Sequence, residues 1–238
     1  MADVLPGLDA TGAWDIPARL NMAAQCLSHD PARLAIIDLT GDARRDVSFG
    51  TLSDMVDGLA RALAQRVQAG DRVGVLLGQS PWCAAAHLAI WKIGAISVPL
   101  FKLFKYDALA SRVRDAGVTL VLTDPEGRDL LGGLATPLMA DSVGVAGDPV
   151  AFADTGPDDP AVLIYTSGTT GSPKGALHGH RVLTGHLPGV SLSHEVLGQD
   201  GDCLWTPADW AWIGGLFDVA MPGLALGVPV VAARLAKF

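Results

Sequence analysis

Residues 72–99 read RVGVLLGQSPWCAAAHLAIWKIGAISVP, and this stretch indicates the fold class. A β-branched, apolar run at Arg72–Leu77 predicts a strand, and a helix is expected from Pro81, since proline is tolerated in the first helical turn, to about Ile93. Gly94 then ends the helix, and Ile96–Pro99 predicts the next strand. A strand, a helix and a second apolar strand in this order are typical of a parallel sheet covered on both faces.

The same alternation extends in both directions along the chain. Further strands are predicted at Leu34–Leu39, Asp46–Phe49, Val118–Leu122, Ala161–Tyr165, Ala176–His178, Cys203–Thr206 and Val228–Ala232. Apolar spacing of three and four predicts helices over Thr51–Val67, Asp107–Ala116, Arg181–Val190 and Trp212–Leu226. Residues 124–160 are richer in Gly, Pro and Asp and predict a surface connection. The sequence therefore predicts an α/β protein with mostly parallel sheets covered by helices.

Composition excludes several classes of protein. The 238 residues are 50% hydrophobic and 18% charged, which excludes a mainly disordered chain. Their 17 Lys and Arg against 25 Asp and Glu give a net charge of -8, so a nucleic-acid partner is not expected. The most apolar stretch, Cys83–Trp91, is shorter than the roughly 20 residues of a membrane-spanning helix, and no membrane partner is expected.

Cysteine usage and the first residues favour a reducing compartment. The three cysteines, Cys26, Cys83 and Cys203, are far apart and form no CxxC pair, so neither a disulfide framework nor a zinc site is indicated. Cys83 and Cys203 lie in apolar runs and are predicted to be buried. The N-terminal MADVLPGLDA has neither a positive nor a continuous apolar region. We expect a cytoplasmic protein.

Residues 163–175, LIYTSGTTGSPKG, place a loop rich in glycine and hydroxyl groups after an apolar strand. Glycines let backbone N–H groups converge on an anion, hydroxyls add donors, and Lys174 supplies a mobile positive charge. The pattern therefore indicates polyphosphate binding. The spacing does not fit a Walker A loop, G-x-x-x-x-G-K-[ST]. A flexible linker is the alternative interpretation, but a linker does not require apolar strands on both sides.

Four motifs resemble the adenylate-forming (AMP-binding) superfamily, which includes acyl-CoA synthetases, luciferases and peptide-synthetase adenylation domains. YTSGTTGSPKG is similar to the signature phosphate loop of that superfamily, and His180-Arg181 follows it as in family members. VSFGTLSDMV (47–56), WKIGAISVPL (91–100) and LWTPADWAWIGGL (204–216) resemble further family motifs in family order. The last is similar to acetyl- and medium-chain acyl-CoA synthetases, so the chain resembles an AMP-forming acyl-CoA synthetase.

The resemblance implies roles for named residues. The residues assigned to the nucleotide phosphates are Thr166, Ser167, Gly168, Thr169, Thr170, Gly171 and Lys174. Trp212, Ile213 and Gly214 are assigned to the acyl pocket. Gly214 stands where acetyl-specific members carry threonine, which predicts more space, less polarity and an acid longer than acetate. Two histidines, His178 and His180, alternate like a metal pair, but no metal site is expected because no further ligand lies at suitable spacing.

The implied activity is a ligation that uses ATP, Mg²⁺ and coenzyme A. A carboxylic acid is adenylated, and a thiol, coenzyme A or another, takes the acyl group. The resemblance further implies that residues 1–238 are part of the large N-terminal domain, with an α/β subdomain at 1–160 and the phosphate loop and start of the acyl-pocket subdomain at 161–238. A YGxTE-like segment and a C-terminal domain with a catalytic lysine do not occur in the sequence, so no catalytic set is complete and the chain alone is predicted to be inactive.

Other interpretations remain open at this stage. One is a stand-alone nucleotide-binding or regulatory module without catalysis. Another is a dinucleotide-binding enzyme, but the sequence lacks the G-x-G-x-x-G string that such an enzyme requires. The high apolar fraction also predicts self-association through exposed apolar surface.

Overall fold

The computed structural model describes residues 5–166 and 173–233, which form two β-sheets and the helices packed around them. The strands are β1 (Leu34–Leu39), β2 (Arg45–Ser48), β3 (Arg72–Leu76), β4 (Ile96–Pro99), β5 (Leu120–Thr123), β6 (Thr136–Met139), β7 (Pro160–Thr166), β8 (Lys174–Gly179) and β9 (Val230–Ala233). The α-helices are α1 (Met22–Leu27), α2 (Phe49–Ala64), α3 (Pro81–Lys92), α4 (Tyr106–Asp115), α5 (Pro125–Leu131), α6 (Arg181–Ser193), α7 (Ile213–Gly215) and α8 (Met221–Leu226). A 3₁₀-helix lies at Ala140–Ser142 and a π-helix at Leu216–Ala220.

The larger sheet contains six strands in the order β6-β5-β3-β4-β7-β8. The first five are parallel, and β8, at the edge, is antiparallel to β7. The smaller sheet has the order β2-β1-β9, with β1 antiparallel to β2 and parallel to β9. The predicted α/β class with mostly parallel sheets is confirmed.

Helices cover both faces of the six-stranded sheet, as the side chains of β5 show. Leu120 and Leu122 join the apolar cluster that includes residues of α2 and α3, whereas Val121 joins the cluster that includes residues of α4 and α5. Successive side chains of a strand point to opposite faces. Continuous apolar runs are therefore what this sheet requires, because both faces are buried.

Helix α3 is apolar on all sides and lies in the interior of the protein. Every residue of the helix except Trp82 is buried, as expected for a helix without a polar face. The Ser80 hydroxyl caps its start by accepting the Cys83 N–H at 3.1 Å. Its end is marked by Gly94, whose φ of +75° is the left-handed conformation that favours glycine.

A buried ion pair connects α2 and α3 to the segment that precedes β7. Lys92 Nζ lies 2.6 Å from Asp57 Oδ1, and both side chains are less than a tenth exposed. Asp57 Oδ1 also accepts the Val150 N–H at 2.8 Å, and Lys92 Nζ lies 4.4 Å from the ring centre of Phe152. The segment is thus held to the core by charge as well as by apolar contact.

The prediction of a surface connection over residues 124–160 was wrong in part, because this stretch contains α5 and β6. Strand β6 extends the parallel sheet by pairing with β5. The residues that suggested a loop cap the helix instead. Asp124 accepts the Gly127 N–H at 2.9 Å, and Gly132 ends α5 in the left-handed conformation.

Two elements predicted near the end of the sequence form only in part. The strand expected at Cys203–Thr206 is a single bridge between Leu204 and Val230. The helix expected at Trp212–Leu226 is divided into α7, the π-helix and α8. At the division the Met221 N–H donates to the Leu216 carbonyl, five residues back. Pro222 follows and has no N–H to continue the ladder.

Two further sequence expectations concern burial and domain boundaries. Cys203 was predicted to be buried and is exposed, whereas Cys26 and Cys83 are buried. The boundary at residue 160 stays a prediction, and strands from its two sides share both sheets, since β7 joins β4 and β9 joins β1. None of the helices described is long and apolar enough to cross a membrane.

Candidate functional site

The hairpin of β7 and β8 brings together the two ends of the predicted phosphate loop. Thr166 pairs with Lys174, and Tyr165 with Gly175, in the last two positions of the antiparallel ladder. Both Thr166 and Lys174 are exposed. The other predicted phosphate-binding residues, Ser167, Gly168, Thr169, Thr170 and Gly171, lie outside the described residues. A hydroxyl group and an ammonium group therefore face solvent from opposite strands at the base of the loop.

Strand β7, which precedes the predicted loop, ends at the edge of the sheet where the other parallel strands end. Strand β7 runs parallel to β4, with Ser97 opposite Val162, so both strands have their carboxyl ends at this edge. In open α/β sheets this is the edge at which ligands bind. The segment that follows β4 begins with Leu100 and Phe101, which places an aromatic ring at the same edge.

The predicted acyl residue Trp212 packs against this aromatic segment. Its ring centre lies 5.5 Å from that of Phe101 and 6.3 Å from that of Phe104. Trp212 is 43% exposed and Ile213 is 37% exposed, so both present apolar surface to solvent. The neighbouring Trp210, in contrast, is fully buried. The structure thus brings Trp212 and Ile213 to the edge from which the loop emerges.

The carboxylate of Asp218 lies next to Gly214. A Cβ atom placed on Gly214 would have one neighbour within 4 Å, Asp218 Oδ2 at 3.5 Å. A small side chain therefore has room at this position. Asp218 lies one helical turn further on and faces it. The larger and less polar acyl pocket stays a prediction.

Asp218 is held by a histidine from another helix. His186 Nδ1, on α6, lies 2.7 Å from Asp218 Oδ1. The imidazole also packs on Phe217, with ring centres 5.9 Å apart. Neither His186 nor Asp218 was singled out by the sequence. The two residues are 32 positions apart and neither belongs to a quoted motif, so only the packing of α6 against the π-helix identifies the pair.

Two close contacts position the segment that carries Trp212. The Gln79 side-chain amide donates to the Thr206 carbonyl at 3.0 Å and to the Ala208 carbonyl at 2.7 Å. Gly215 lies so close to the same loop that a Cβ atom would be 2.4 Å from the Asp209 carbonyl oxygen. Burial raises the pKa of the Asp209 carboxyl. Gln79 is a positioning residue that sequence analysis missed.

His180, which the sequence places after the loop, is part of the core. It is fully buried, and its Nδ1 accepts the Met22 N–H at 3.2 Å. Burial lowers the pKa of the imidazole to about 4. His178 lies on β8 and is partly exposed. Over residues 5–166 and 173–233, no group of three or more His, Cys, Asp or Glu is placed to hold a metal ion.

A separate cavity of about 610 Å³ opens beside the carboxyl ends of β3 and β5. It reaches β1 and β2 of the smaller sheet through Asp38 and Arg45, which form an ion pair at 2.6 Å. The predicted phosphate and acyl residues are not among its lining residues. The candidate site is therefore the part of the carboxyl end of the sheet next to β4 and β7, and this cavity lies at the same end next to β3 and β5.

Comparisons with known proteins show the family of this chain. A model of the AMP-binding enzyme family matches residues 23–237. Acetyl-coenzyme A synthetase of Shewanella oneidensis is 31% identical over an alignment that covers 92% of this chain and 40% of that enzyme. The acetyl-coenzyme A synthetase of Novosphingobium aromaticivorans is 33% identical over an alignment that covers 85% of this chain and 37% of that enzyme. The chain thus spans about 40% of the length of these curated relatives.

Solved structures show the same fold. The acyl-CoA synthetase of Brucella canis superimposes with a TM-score of 0.81 at 24% identity, over 99% of this chain and 45% of that one. ATP-bound MatB of Rhodopseudomonas palustris gives a TM-score of 0.77 at 26% identity, over 92% and 45%. Since the family model covers nearly every residue from α1 to the end of the sequence, the chain belongs to the family of AMP-binding enzymes.

Proposed function

We propose that this chain supplies the phosphate-binding loop and one wall of the acyl site of an ATP-dependent acid–thiol ligase. In this reaction a carboxylate attacks the α-phosphorus of ATP and pyrophosphate leaves. The acyl group of the adenylate then passes to the thiol of coenzyme A. The observation that carries the proposal is the meeting of Thr166 and Lys174 at the base of the loop, at the sheet edge where Trp212 also lies.

Charge and hydrogen bonding support the assignment of the loop to the β- and γ-phosphates. Lys174 carries a positive charge on a flexible stem, and Thr166 offers a hydroxyl donor from the opposite strand. The residues 167–171 would add backbone N–H groups and further hydroxyls. Such preorganised donors stabilise the charge that develops on leaving pyrophosphate. Magnesium would be bound with ATP, and we assign it to none of the described side chains.

Binding of the nucleotide tests the role of Lys174. The sequence contains no YGxTE-like segment, so we expect the 238-residue chain to bind Mg-ATP with a Kd of about 1 mM, or roughly 4 kcal/mol. Titration followed by NMR should show about tenfold weaker binding in Lys174→Ala, because a charge-assisted contact is lost. Lys105→Ala, at another exposed lysine, is the matched control and should leave the Kd unchanged. Equal losses in both variants would contradict a specific role, and micromolar binding would contradict an incomplete site.

Catalysis by the chain alone is tested separately. The proposed chemistry requires several charged groups at once, and the segments implied to supply some of them do not occur in the sequence. Carboxylate-dependent exchange of labelled pyrophosphate into ATP should therefore stay at background. Clear exchange would show that the residues of this chain are sufficient.

The open space at Gly214 supports the proposal that the substrate is an acid longer than acetate. A threonine side chain in place of Gly214 would fill the space in front of Asp218. A longer parent chain that contains this sequence should therefore have a higher kcat/KM for hexanoate-sized acids than for acetate, and Gly214→Thr should shift the preference towards shorter acids. A higher kcat/KM for acetate than for all longer acids would contradict this assignment.

Exposed apolar side chains support self-association. Leu177 is 56% exposed on β8, an edge strand, and unpaired strand edges promote pairing between chains. Light scattering at micromolar concentration should report a dimer or larger species, and Leu177→Lys should reduce its mass. Leu8→Lys, at a leucine that is 63% exposed outside the sheets, is the control. A monodisperse monomer would contradict the proposal.

A further inference from the structure

A hydrogen-bond acceptor, the carboxylate of Asp218, borders the proposed acyl site next to Gly214. Gly214 and Asp218 lie one helical turn apart, and a Cβ placed on Gly214 would lie 3.5 Å from Asp218 Oδ2. An acyl chain that uses the space left by the missing side chain therefore approaches a carboxylate oxygen. An apolar group at this point would remove water from the oxygen without replacing its hydrogen bonds.

The orientation of this carboxylate is set by α6. His186 Nδ1 lies 2.7 Å from Oδ1, and contact with Phe217 holds the imidazole in place. Among the described residues, Oδ2 accepts no hydrogen bond, while Oδ1 is engaged. The side chain of Asp218 is about half exposed, so a ligand can reach it. The free acceptor faces Gly214.

The Asp218–His186 pair also borders a cavity. His186 and Asp218 border an open cavity of about 330 Å³ along α6. Gly185 and Gly189 line the same cavity, and a Cβ on either would meet nothing within 4 Å. A volume of about 300 Å³ is at the lower end of the range for small-molecule sites. A short chain therefore has room beside the Asp218–His186 pair.

We propose that Asp218, positioned by His186, selects carboxylic acids that carry a hydrogen-bond donor, a hydroxyl or an amino group, on the carbon chain. The inference rests on the proposed acyl role of Gly214. The donor of the substrate hydrogen-bonds to Asp218 Oδ2, and the methyl-ended analogue of equal length leaves that oxygen unpaired. A hydroxyl and an ammonium group can both donate a hydrogen bond to Asp218. The ammonium group is also attracted by the negative charge of the carboxylate, whereas the hydroxyl needs only an uncharged partner.

Direct binding to the 238-residue chain tests the inference. Chemical shifts of the Gly214 and Asp218 amides and of the His186 imidazole would be followed by NMR during titration with 6-hydroxyhexanoate, 6-aminohexanoate and heptanoate. The three acids have chains of equal length. We expect the two donor-bearing acids to bind about tenfold more tightly than heptanoate, a difference of about 1.4 kcal/mol.

Variants separate hydrogen bonding from charge. Asp218→Leu should abolish the preference for both donors. In Asp218→Asn the carbonyl oxygen stays with His186 and an NH₂ group takes the place of Oδ2. A hydroxyl can accept from this NH₂ and an ammonium cannot, so the variant should retain a preference for the hydroxy acid and lose that for the amino acid. Asp54→Leu, at an exposed aspartate on α2, is the matched control and should leave all three affinities unchanged. Amide spectra of each variant without ligand establish that it is folded.

The outcomes distinguish this inference from the proposed function. Shifts at Gly214 with equal affinity for all three acids, or tighter binding of heptanoate, would overturn the selection by Asp218 and leave the acyl site in place. A preference that persists in Asp218→Leu would overturn it as well. Absence of shifts at Ile213 and Gly214 with every acid would overturn the acyl site itself, and the inference with it.

Discussion

Removal of the buried carboxylate of Asp57 should destabilise the protein more than any surface change. The Asp57→Leu variant leaves the Lys92 ammonium, which is 3% exposed, without its partner 2.6 Å away. It also leaves the Val150 N–H without its acceptor. Breaking one partner of a buried pair costs about 3–5 kcal/mol, because an uncompensated charge remains in the interior. We expect a loss of about 4 kcal/mol, a large part of the roughly 5–15 kcal/mol that stabilises a typical domain.

The double variant shows whether the cost arises from the isolated charge. In Asp57→Leu/Lys92→Met both charges are absent and apolar volume replaces them. Only the Val150 N–H is then left unpaired, which costs about 1–3 kcal/mol. We therefore expect the double variant to be more stable than Asp57→Leu by about 2 kcal/mol. Its segment before β7 should stay in place, because the Ala153 N–H still donates to the carbonyl of residue 92.

Urea unfolding followed by circular dichroism measures both effects. With an m-value of about 2 kcal/mol per molar, the midpoint of Asp57→Leu should fall by about 2 M. Asp46→Ala is the matched control, because Asp46 pairs with Arg44 at the surface with both side chains more than half exposed, and its loss of stability should be much smaller than that of Asp57→Leu. A loss below 1 kcal/mol in Asp57→Leu, or a double variant as unstable as the single one, would refute the reasoning.

Two further predictions concern the site segment and the pH dependence of stability. Gly215→Ala should cost about 1–3 kcal/mol, because the new Cβ would lie 2.4 Å from the Asp209 carbonyl oxygen. Gly214→Ala is the control and should be neutral or slightly stabilising; equal urea midpoints for the two would contradict the contact. Burial lowers the pKa of His180 to about 4 and that of His87 to about 3. The unfolded chain therefore binds protons first, so stability is complete above pH 6.5 and falls by about 2 kcal/mol per histidine at pH 5. Replacing His180 with Gln should reduce the slope of stability against pH, and an unchanged slope would contradict the assignment.

Much of the central sheet could be predicted from local pattern. Strands β3, β4 and β5 are short apolar runs, and such runs are required where both faces of a sheet are covered. Helix α3 was predicted from Pro81 to about Ile93 and ends one residue earlier, because proline and glycine mark helix ends through fixed backbone preferences. The family was likewise evident from four motifs, since these depend on the order of residues along the chain.

Other parts of the fold could not be predicted because local sequence serves more than one structure. Asp124 and Gly132 belong to a stretch whose composition indicated a loop, yet they cap α5. The same residue types favour turns and helix ends, and only the pairing of β6 with β5 distinguishes the two. Cys203 was predicted to be buried, but a single bridge at Leu204 replaces the expected strand and leaves the thiol exposed.

The sequence by itself determined the α/β class, the central strands and the family, because these follow from the period of apolar residues and from short motifs. The phosphate loop stays a prediction from its residues. Only the tertiary structure brought His186 to Asp218 and turned Asp218 towards Gly214. Contacts between residues 32 positions apart depend on how two helices pack, and no periodicity or motif encodes that packing. The carboxylate beside Gly214 was therefore decided by the fold.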